Sequence, residues 1–417
     1  MNSNPSGPGM ALGGPDATVR PSILDKCVAF TTADDYKAAG LYPYHRLIET
    51  GQDTEVQVNG RKMLMLGSNS YLELTTHPRI KERAAEAIHT YGTGCAGSRF
   101  LNGTLPIHVE LEKKLAEFVG KEAALVFPTG FQTNTGVISS LVHKGEYIIG
   151  DKFIHACIMD GCQLSYGQLL RYEHNNMADL EEKLSRLPDT AAKLIVTDGV
   201  FSMEGDICDL PGITALAERY GAQVMVDDAH GLGVLGPQGR GTAAHFGLTD
   251  KVDLIMGTFS KSLAAIGGFI AGSERTINYL MHMARPYMFS ASASPASVAA
   301  VLGALEVMEE EPWRLERLWE NTRFLKEGFD ALGFDTGQTE TPVIPIVVGE
   351  VDVCFKMWHF LQDEGIFVNP VVPPGVPPGR CLIRISVTAG HTRQQLERAL
   401  EIFKRAGQVC GLIEPGA

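Results

Sequence analysis

Val252-Asp253-Leu254-Ile255-Met256-Gly257-Thr258-Phe259-Ser260-Lys261-Ser262-Leu263 is the stretch on which the reading of this chain turns. The mostly apolar run 252–256 has the character of a buried strand. It ends in a small, hydroxyl-rich turn with one lysine, Lys261, and Ala264, Ala265, Gly267 and Gly268 surround that lysine with small residues. A lysine in a tight, weakly polar turn loses its proton more readily than a solvated one, because desolvation disfavours the ammonium. That suits imine chemistry. A surface lysine after a strand satisfies the same heptad, so on this stretch alone both readings stand.

Upstream, Val224-Met225-Val226-Asp227-Asp228-Ala229-His230-Gly231 predicts another strand, with Asp227 and His230 at its C-terminal end. Ligands of open α/β sheets bind at the carboxyl ends of strands. An acid that pairs with a pyridinium nitrogen and a lysine that forms an imine are the two protein groups pyridoxal 5'-phosphate needs. Here they end successive predicted strands. Asp227-x-Ala229-His230 followed by Gly257-Thr258-x-Ser260-Lys261 resembles the fold-type I pyridoxal-phosphate enzymes, and more narrowly the α-oxoamine synthases. These condense an amino acid with an acyl-CoA and lose carbon dioxide. The resemblance runs from about residue 42 to residue 413. It implies an α/β fold with a large domain, built on a mostly parallel central sheet flanked by helices, and a smaller C-terminal α+β domain.

Composition agrees with a globular enzyme. Hydrophobic residues make up 44% and charged residues 20% of the 417, enough for a sizeable core. The net charge of −13 argues against nucleic acid as a partner, since phosphate backbones need a basic face. An anionic CoA needs only a local basic patch. The eight cysteines are scattered without a C-x-x-C pair, which suggests reduced thiols in a cytoplasmic protein, not a zinc ribbon or disulfide framework. No apolar stretch has the length of a membrane span, and no secretory signal is read at the N-terminus, which leaves peripheral contact with the inner membrane open.

Four segments are expected. Residues 1–20, rich in Gly, Pro, Ser and Asn, read as a disordered tail. Residues 21–75 hold an N-terminal helix over 23–39 and a hairpin around Asn59-Gly60. Residues 76–310 form the cofactor-binding large domain, and 311–417 the small domain, joined by a long amphipathic helix over 313–332. Further helices are predicted over 78–90, 108–119, 213–220, 295–308 and 394–407. Strands are predicted at 123–127, 147–149, 194–197, 344–348, 367–368 and 382–386. The proline-rich run 371–379 makes a rigid loop.

Candidate site residues follow from position and from the resemblance. Thr129-Gly130-Phe131-Gln132 turns from a strand into a helix, whose N-terminal N–H groups form an anion site, so Gly130 and Phe131 are assigned to the cofactor phosphate. Ordinary capping by Thr129 is the plainer reading of the same turn. Arg384 lies inside an apolar strand and needs a partner for its charge; a substrate carboxylate or a structural ion pair would serve. The resemblance implies that Lys261 carries the cofactor and then moves the Cα proton, and that Asp227 keeps the ring nitrogen protonated. It also implies that His230 bonds the phenolic oxygen, that Thr258 and Ser290 hold the phosphate (Ser290 from the partner subunit of a homodimer), and that Arg384 binds the carboxylate. His155, in His155-Ala156-Cys157-Ile158-Met159-Asp160-Gly161, matches the histidine that stacks on the ring and touches the carboxylate, with Cys157 in place of a serine. Ser202, in Asp198-Gly199-Val200-Phe201-Ser202-Met203-Glu204-Gly205-Asp206, is read either as a cofactor contact or as a turn-stabilising serine. Tyr71 is read either as a contact at the substrate entrance or as a loop residue. Beside it, Ser70 and Glu73 depart from the family's Asn-Asp-Tyr-Leu-Gly pattern.

Two further motifs narrow the branch. Gly97-Ser98-Arg99-Phe100-Leu101-Asn102-Gly103-Thr104 and Arg285-Pro286-Tyr287-Met288-Phe289-Ser290-Ala291-Ser292 resemble the α-oxoamine synthases that use L-serine and a long-chain acyl-CoA. The rivals are a sister enzyme using glycine or alanine with a shorter acyl-CoA, and a non-catalytic regulatory relative. An intact Lys261 speaks against the latter.

Overall fold

The structure, a computed structural model, describes residues 22–414. The tail expected over 1–20 lies outside the described residues. The chain divides into two units, 1–45 and 46–417. In the first, the single helix expected over 23–39 is two short ones, Asp25–Val28 and Thr32–Ala38. The β-branched pair Thr31-Thr32 lies at the break, where restricted side-chain rotation disfavours continuing one helix.

The second unit opens with the predicted hairpin, β1 (Glu55–Val58) and β2 (Arg61–Met65). Asn59 and Gly60 both take positive φ, 51° and 69°, as a two-residue hairpin turn requires. Val56, Val58, Met63 and Met65 are buried in a small satellite core.

A seven-stranded sheet follows, made of β3 (Ala123–Phe127), β4 (Tyr147–Asp151), β5 (Gln168–Tyr172), β6 (Lys193–Asp198), β7 (Gln223–Asp227), β8 (Leu254–Thr258) and β9 (Gly268–Gly272), in the order β3-β9-β8-β7-β6-β4-β5. The pairings from β8 through β5 are parallel, and β9 runs antiparallel to both β3 and β8. Helices cover both faces, so central strands are apolar without alternation, and β6 and β8 are buried throughout. Ile195, Val226 and Ile255 face one core, Val196, Met225 and Met256 the other.

Strand β9 corrects the opening reading. Gly267 and Gly268 do not simply pad the lysine; Gly268 begins a strand that passes under the helix Gly130–Leu141. A Cβ on Gly268 would stand 2.7 Å from the Gly130 Cα, so the close approach of two backbones excludes a side chain there.

The C-terminal sheet contains β10 (Val343–Gly349), β12 (Asn369–Val371) and β13 (Cys381–Ser386), in the order β10-β13-β12. The strand expected at 367–368 is two pieces. The first, β11 (Ile366–Phe367), joins β2 in parallel, and the second, β12, pairs antiparallel with β13. Pro370 has no N–H to donate, which suits it to the edge position β12 occupies. The helices predicted over 78–90, 108–119, 213–220, 295–308, 313–332 and 394–407 form as Pro78–Tyr91, Pro106–Val119, Leu210–Tyr220, Pro295–Glu310, Trp313–Ala331 and Arg393–Cys410. Among the described residues no helix is long and apolar enough to cross a membrane.

The loop after β2 holds Glu73 at φ 55°, a left-handed conformation that favours glycine. Room for its side chain comes from Gly390, where a Cβ would stand 2.8 Å from the Glu73 Cγ. Burial pushes the Glu73 carboxyl up to about 7, against an opposing hydrogen bond from Thr388. The folded chain therefore keeps a proton that the unfolded chain gives up above the ordinary value of 4.5, and stability falls as pH rises from there to about 7. Glu73→Gln removes this loss. In thermal melts it is expected to match the parent at pH 4 and exceed it at pH 8; equal melting at both would refute the assignment.

Candidate active site

A cavity of about 370 Å³ opens at the C-terminal ends of β6, β7 and β8, and Lys261, Asp227, His155, His230, Gly130, Phe131 and Thr258 all line it. Seven residues separated by up to 131 positions thus converge on one space. The topology explains this, because parallel strands deliver their ends to the same edge.

One wall is the start of the helix Gly130–Leu141. The Thr129 hydroxyl accepts from the Gln132 N–H at 3.1 Å, which caps the helix and leaves the Gly130 and Phe131 N–H groups at its open end. A Cβ on Gly130 would come within 2.8 Å of the Thr258 hydroxyl oxygen, so glycine keeps this corner clear. Thr258 and Ser260 hydroxyls lie 3.0 Å apart there. A free helix end with two hydroxyls is an anion cradle.

The opposite end is acidic. Asp227 accepts from the Asn134 side-chain amide at 2.6 Å and from the Ala229 N–H at 3.0 Å. Its neighbour across the parallel register is Asp198. Burial, reinforced by the Asp227 charge, holds the Asp198 carboxyl well above its usual range. Two carboxylates this close do not both ionise readily. Burial therefore favours the protonated form of Asp198, while Asp227 is held by two donors.

Lys261 lies between these ends. Burial lowers its ammonium from 10.5 to about 8, partly offset by Asp227, as a reactive amine requires. His230 is buried and accordingly held neutral, well below its ordinary value. Its Nδ1 is 2.7 Å from the Tyr71 hydroxyl. Tyr71 is therefore buried beside the site and reaches it through His230.

His155 caps the helix Ala156–Leu164. Its Nδ1 accepts from the Cys157 N–H at 3.2 Å, which leaves Nε2 as the ring's donor nitrogen. The Cys157 Sγ is 2.9 Å from the same Nδ1 and accepts from the Asn134 amide at 3.0 Å. Burial pushes this thiol far up, so it remains protonated and orients the imidazole as a serine hydroxyl would.

Arg384 is 6% exposed, and among the described residues no carboxylate pairs with it. Its Nε donates to the Ser202 carbonyl at 2.6 Å, and one terminal nitrogen donates to the Asn69 side-chain oxygen at 2.9 Å and the Ser386 hydroxyl at 2.8 Å. A buried guanidinium held only by neutral acceptors is poised for an anion. Ser202 thus supports Arg384 through its backbone, and its side chain is not part of the cavity wall. Ser290 is likewise not part of the wall; its hydroxyl accepts from the Gln132 side chain at 3.0 Å.

The sequence reading did not assign Asn134, Asp198 or Asn69. Asn134 carried a usable signal, since it lies one helical turn beyond Gly130 and shares its face. The roles of Asp198 and Asn69 depend on contacts across the fold, 43 residues to His155 and 315 to Arg384, which no local pattern displays.

The family model described as aminotransferase class I and II matches residues 61–403. The chain belongs to this family. Within the class I and II aminotransferases it is similar to serine palmitoyltransferase of Sphingobacterium spiritivorum, at 56% identity over 92% of this chain and 97% of that one. It is also similar to 8-amino-7-oxononanoate synthase of Symbiobacterium thermophilum, at 45% identity over 90% and 96%. Among solved structures, serine palmitoyltransferase from S. paucimobilis with a bound PLP-myriocin aldimine superposes with a TM-score of 0.91 at 36% identity, covering 94% of this chain and 100% of that one. Both relatives are α-oxoamine synthases, the group its motifs resemble.

Proposed function

We propose that this chain condenses L-serine with a long-chain acyl-CoA, palmitoyl-CoA foremost, giving 3-oxosphinganine, CoA and carbon dioxide. The observation that carries serine and a long chain over glycine or alanine and a short one is the identity to serine palmitoyltransferase, 56%, against 45% for 8-amino-7-oxononanoate synthase.

The cavity fits pyridoxal 5'-phosphate. The Gly130 corner, which a side chain would fill, admits a phosphate to the Gly130 and Phe131 N–H groups and the Thr258 hydroxyl. Asp227 would face the ring nitrogen, His230 the phenolic oxygen, His155 the ring, and Lys261 the aldehyde. The cofactor supplies an electron sink at the amino acid's Cα.

The chain's own residues do the rest. Arg384 holds the serine carboxylate, with His155 beside it. Lys261 Nζ, with its pKa brought down by burial, takes the Cα proton. Asp227 keeps a proton on the ring nitrogen. The Cα–acyl carbon bond then forms, the thioester C–S bond breaks to release CoA, which takes a proton from solvent, and the Cα–carboxyl bond breaks to release carbon dioxide, Lys261 returning its proton to Cα.

The reading includes a homodimer with shared sites, in which Ser290 serves the partner's phosphate. Phe289 and Leu101, exposed by 77% and 81%, support an apolar contact with a second copy. It also includes a C-terminal lobe, 311–417, that carries Arg384, and work in the cytoplasm at the inner-membrane surface, which would take up the product.

The test is CoA release by purified protein with serine, glycine or alanine, each against palmitoyl-, pimeloyl- and succinyl-CoA. Turnover with serine and palmitoyl-CoA is expected to exceed every other pair by at least tenfold or so. Preference for glycine or alanine with a short chain would overturn the substrate assignment.

A further inference from the structure

Beyond the cavity lies a second cluster of charged groups that no step above uses. His174, just after β5, is hydrogen-bonded at both ring nitrogens to carboxylates: Nδ1 to Asp151 at 3.0 Å and Nε2 to Asp206 at 2.8 Å. The ring stacks on Phe153, with centroids 4.5 Å apart, and meets Phe201 edge-on at 4.4 Å. Asn175 adds its N–H to Asp151 at 2.9 Å and its side-chain amide to Asp206 at 3.2 Å. Burial alone would lower this imidazole, but the two carboxylates push it up to about 10, so it is a cation at neutral pH. One charge thus pins two acidic groups from different parts of the chain.

What those two carboxylates carry gives the cluster its meaning. Asp151 ends β4 and also accepts from the Phe153 N–H at 2.7 Å, which shapes the short segment leading to His155. Asp206 closes the loop after β6: its carbonyl accepts from the Phe201 N–H at 3.0 Å. The next residue, Ser202, offers the carbonyl that takes the Arg384 Nε at 2.6 Å. From the other side, the Thr339 and Thr341 hydroxyls donate to the Gly205 carbonyl of the same loop, at 3.1 and 2.8 Å. The loop over 201–206 is therefore a bridge between the large sheet and the strand bearing Arg384, and His174 holds its near end.

We infer that His174, clamped between Asp151 and Asp206, is a positioning residue for amino-acid binding, which sets the spacing between His155 and Arg384. It rests on the assignment of those two residues to the substrate carboxylate. A carboxylate spanning two anchors is sensitive to their separation, and displacement by about 1 Å can cost two orders of magnitude. The cofactor cradle at Gly130 and Thr258 lies on other segments, so loosening the clamp should leave it in place.

The test compares holoenzyme with His174→Phe, which keeps an aromatic ring between Phe153 and Phe201 but has no donors, and with Asp206→Asn, a milder change that serves if the first fails to fold. L-Serine is titrated while the cofactor's absorbance is followed, and KM for palmitoyl-CoA and cofactor content are measured alongside. The expected result is roughly a tenfold weaker response to serine, with acyl-CoA KM and cofactor content within about twofold of the parent. A lower melting temperature with serine affinity unchanged would reduce the cluster to a structural brace and overturn the proposal, as would equal losses for serine, acyl-CoA and cofactor. A parent enzyme that responds to glycine or alanine instead would overturn the serine assignment alone, and the same comparison made with that amino acid then decides the clamp. A parent with bound cofactor but no response to any of the three would overturn both.

Discussion

Lys261→Ala is expected to fold, to lose the absorbance band of the lysine-bound cofactor, and to release CoA at a rate reduced by roughly 10³-fold or more. The side chain lines the open cavity, so truncation forces no rearrangement. The loss is chemical, because among the described residues no other lysine lines the cavity. The same nitrogen gives a pH signature. Imine formation needs the free amine, so uptake of cofactor by the apoprotein should quicken as pH rises through about 8, well below the ordinary lysine value of 10.5. A Lys261→Ala protein that retained the band, or uptake that quickened only above pH 10, would sink the assignment.

Asp227→Asn is expected to lower the rate of Cα proton loss by roughly two to four orders of magnitude while weakening cofactor retention far less. Asparagine fills the same space, and one end can still accept from Asn134 or Ala229, which now hold Asp227 at 2.6 and 3.0 Å. What disappears is the charge that keeps a proton on the ring nitrogen. Asp198 does not replace it, because burial by itself favours its neutral form. Exchange of the serine Cα hydrogen with deuterated water, followed by NMR without acyl-CoA, isolates this step. If exchange and cofactor content fell together, Asp227 would be a structural support instead of an electrostatic partner of the ring.

The large features of this fold lie in local pattern. Apolar runs at 194–197 and 224–227 read as strands because both faces are covered, and Asn59-Gly60 reads as a turn because only certain residues take positive φ there. The site residues on these strand ends were legible for the same reason. Misreadings occurred where a residue answers to a distant neighbour. Gly268 looked like padding because the Gly130 backbone above it is 138 positions away in sequence and 2.7 Å from its absent Cβ. The strand read at 367–368 gave no sign that 366–367 and 369–371 belong to different sheets. Ser202 matches either a cofactor contact or a turn serine by its motif, and the fold adds a contact no motif displays, its carbonyl on the Arg384 guanidinium.

The pairing of β11 with β2, and the bond from Asn69 to Arg384, tie the early part of this unit to its end. On the ribosome the hairpin at 55–65 emerges early and waits about 300 residues, at roughly 5–20 residues per second some tens of seconds, for its third strand. The central sheet needs none of that and can close once β9 has emerged. On the proposed roles, the residues of the cofactor cradle are therefore made before Arg384 is. Chains released short of residue 384 would sequester cofactor without turnover, and their unpaired hairpin edge would be a target for the quality-control machinery.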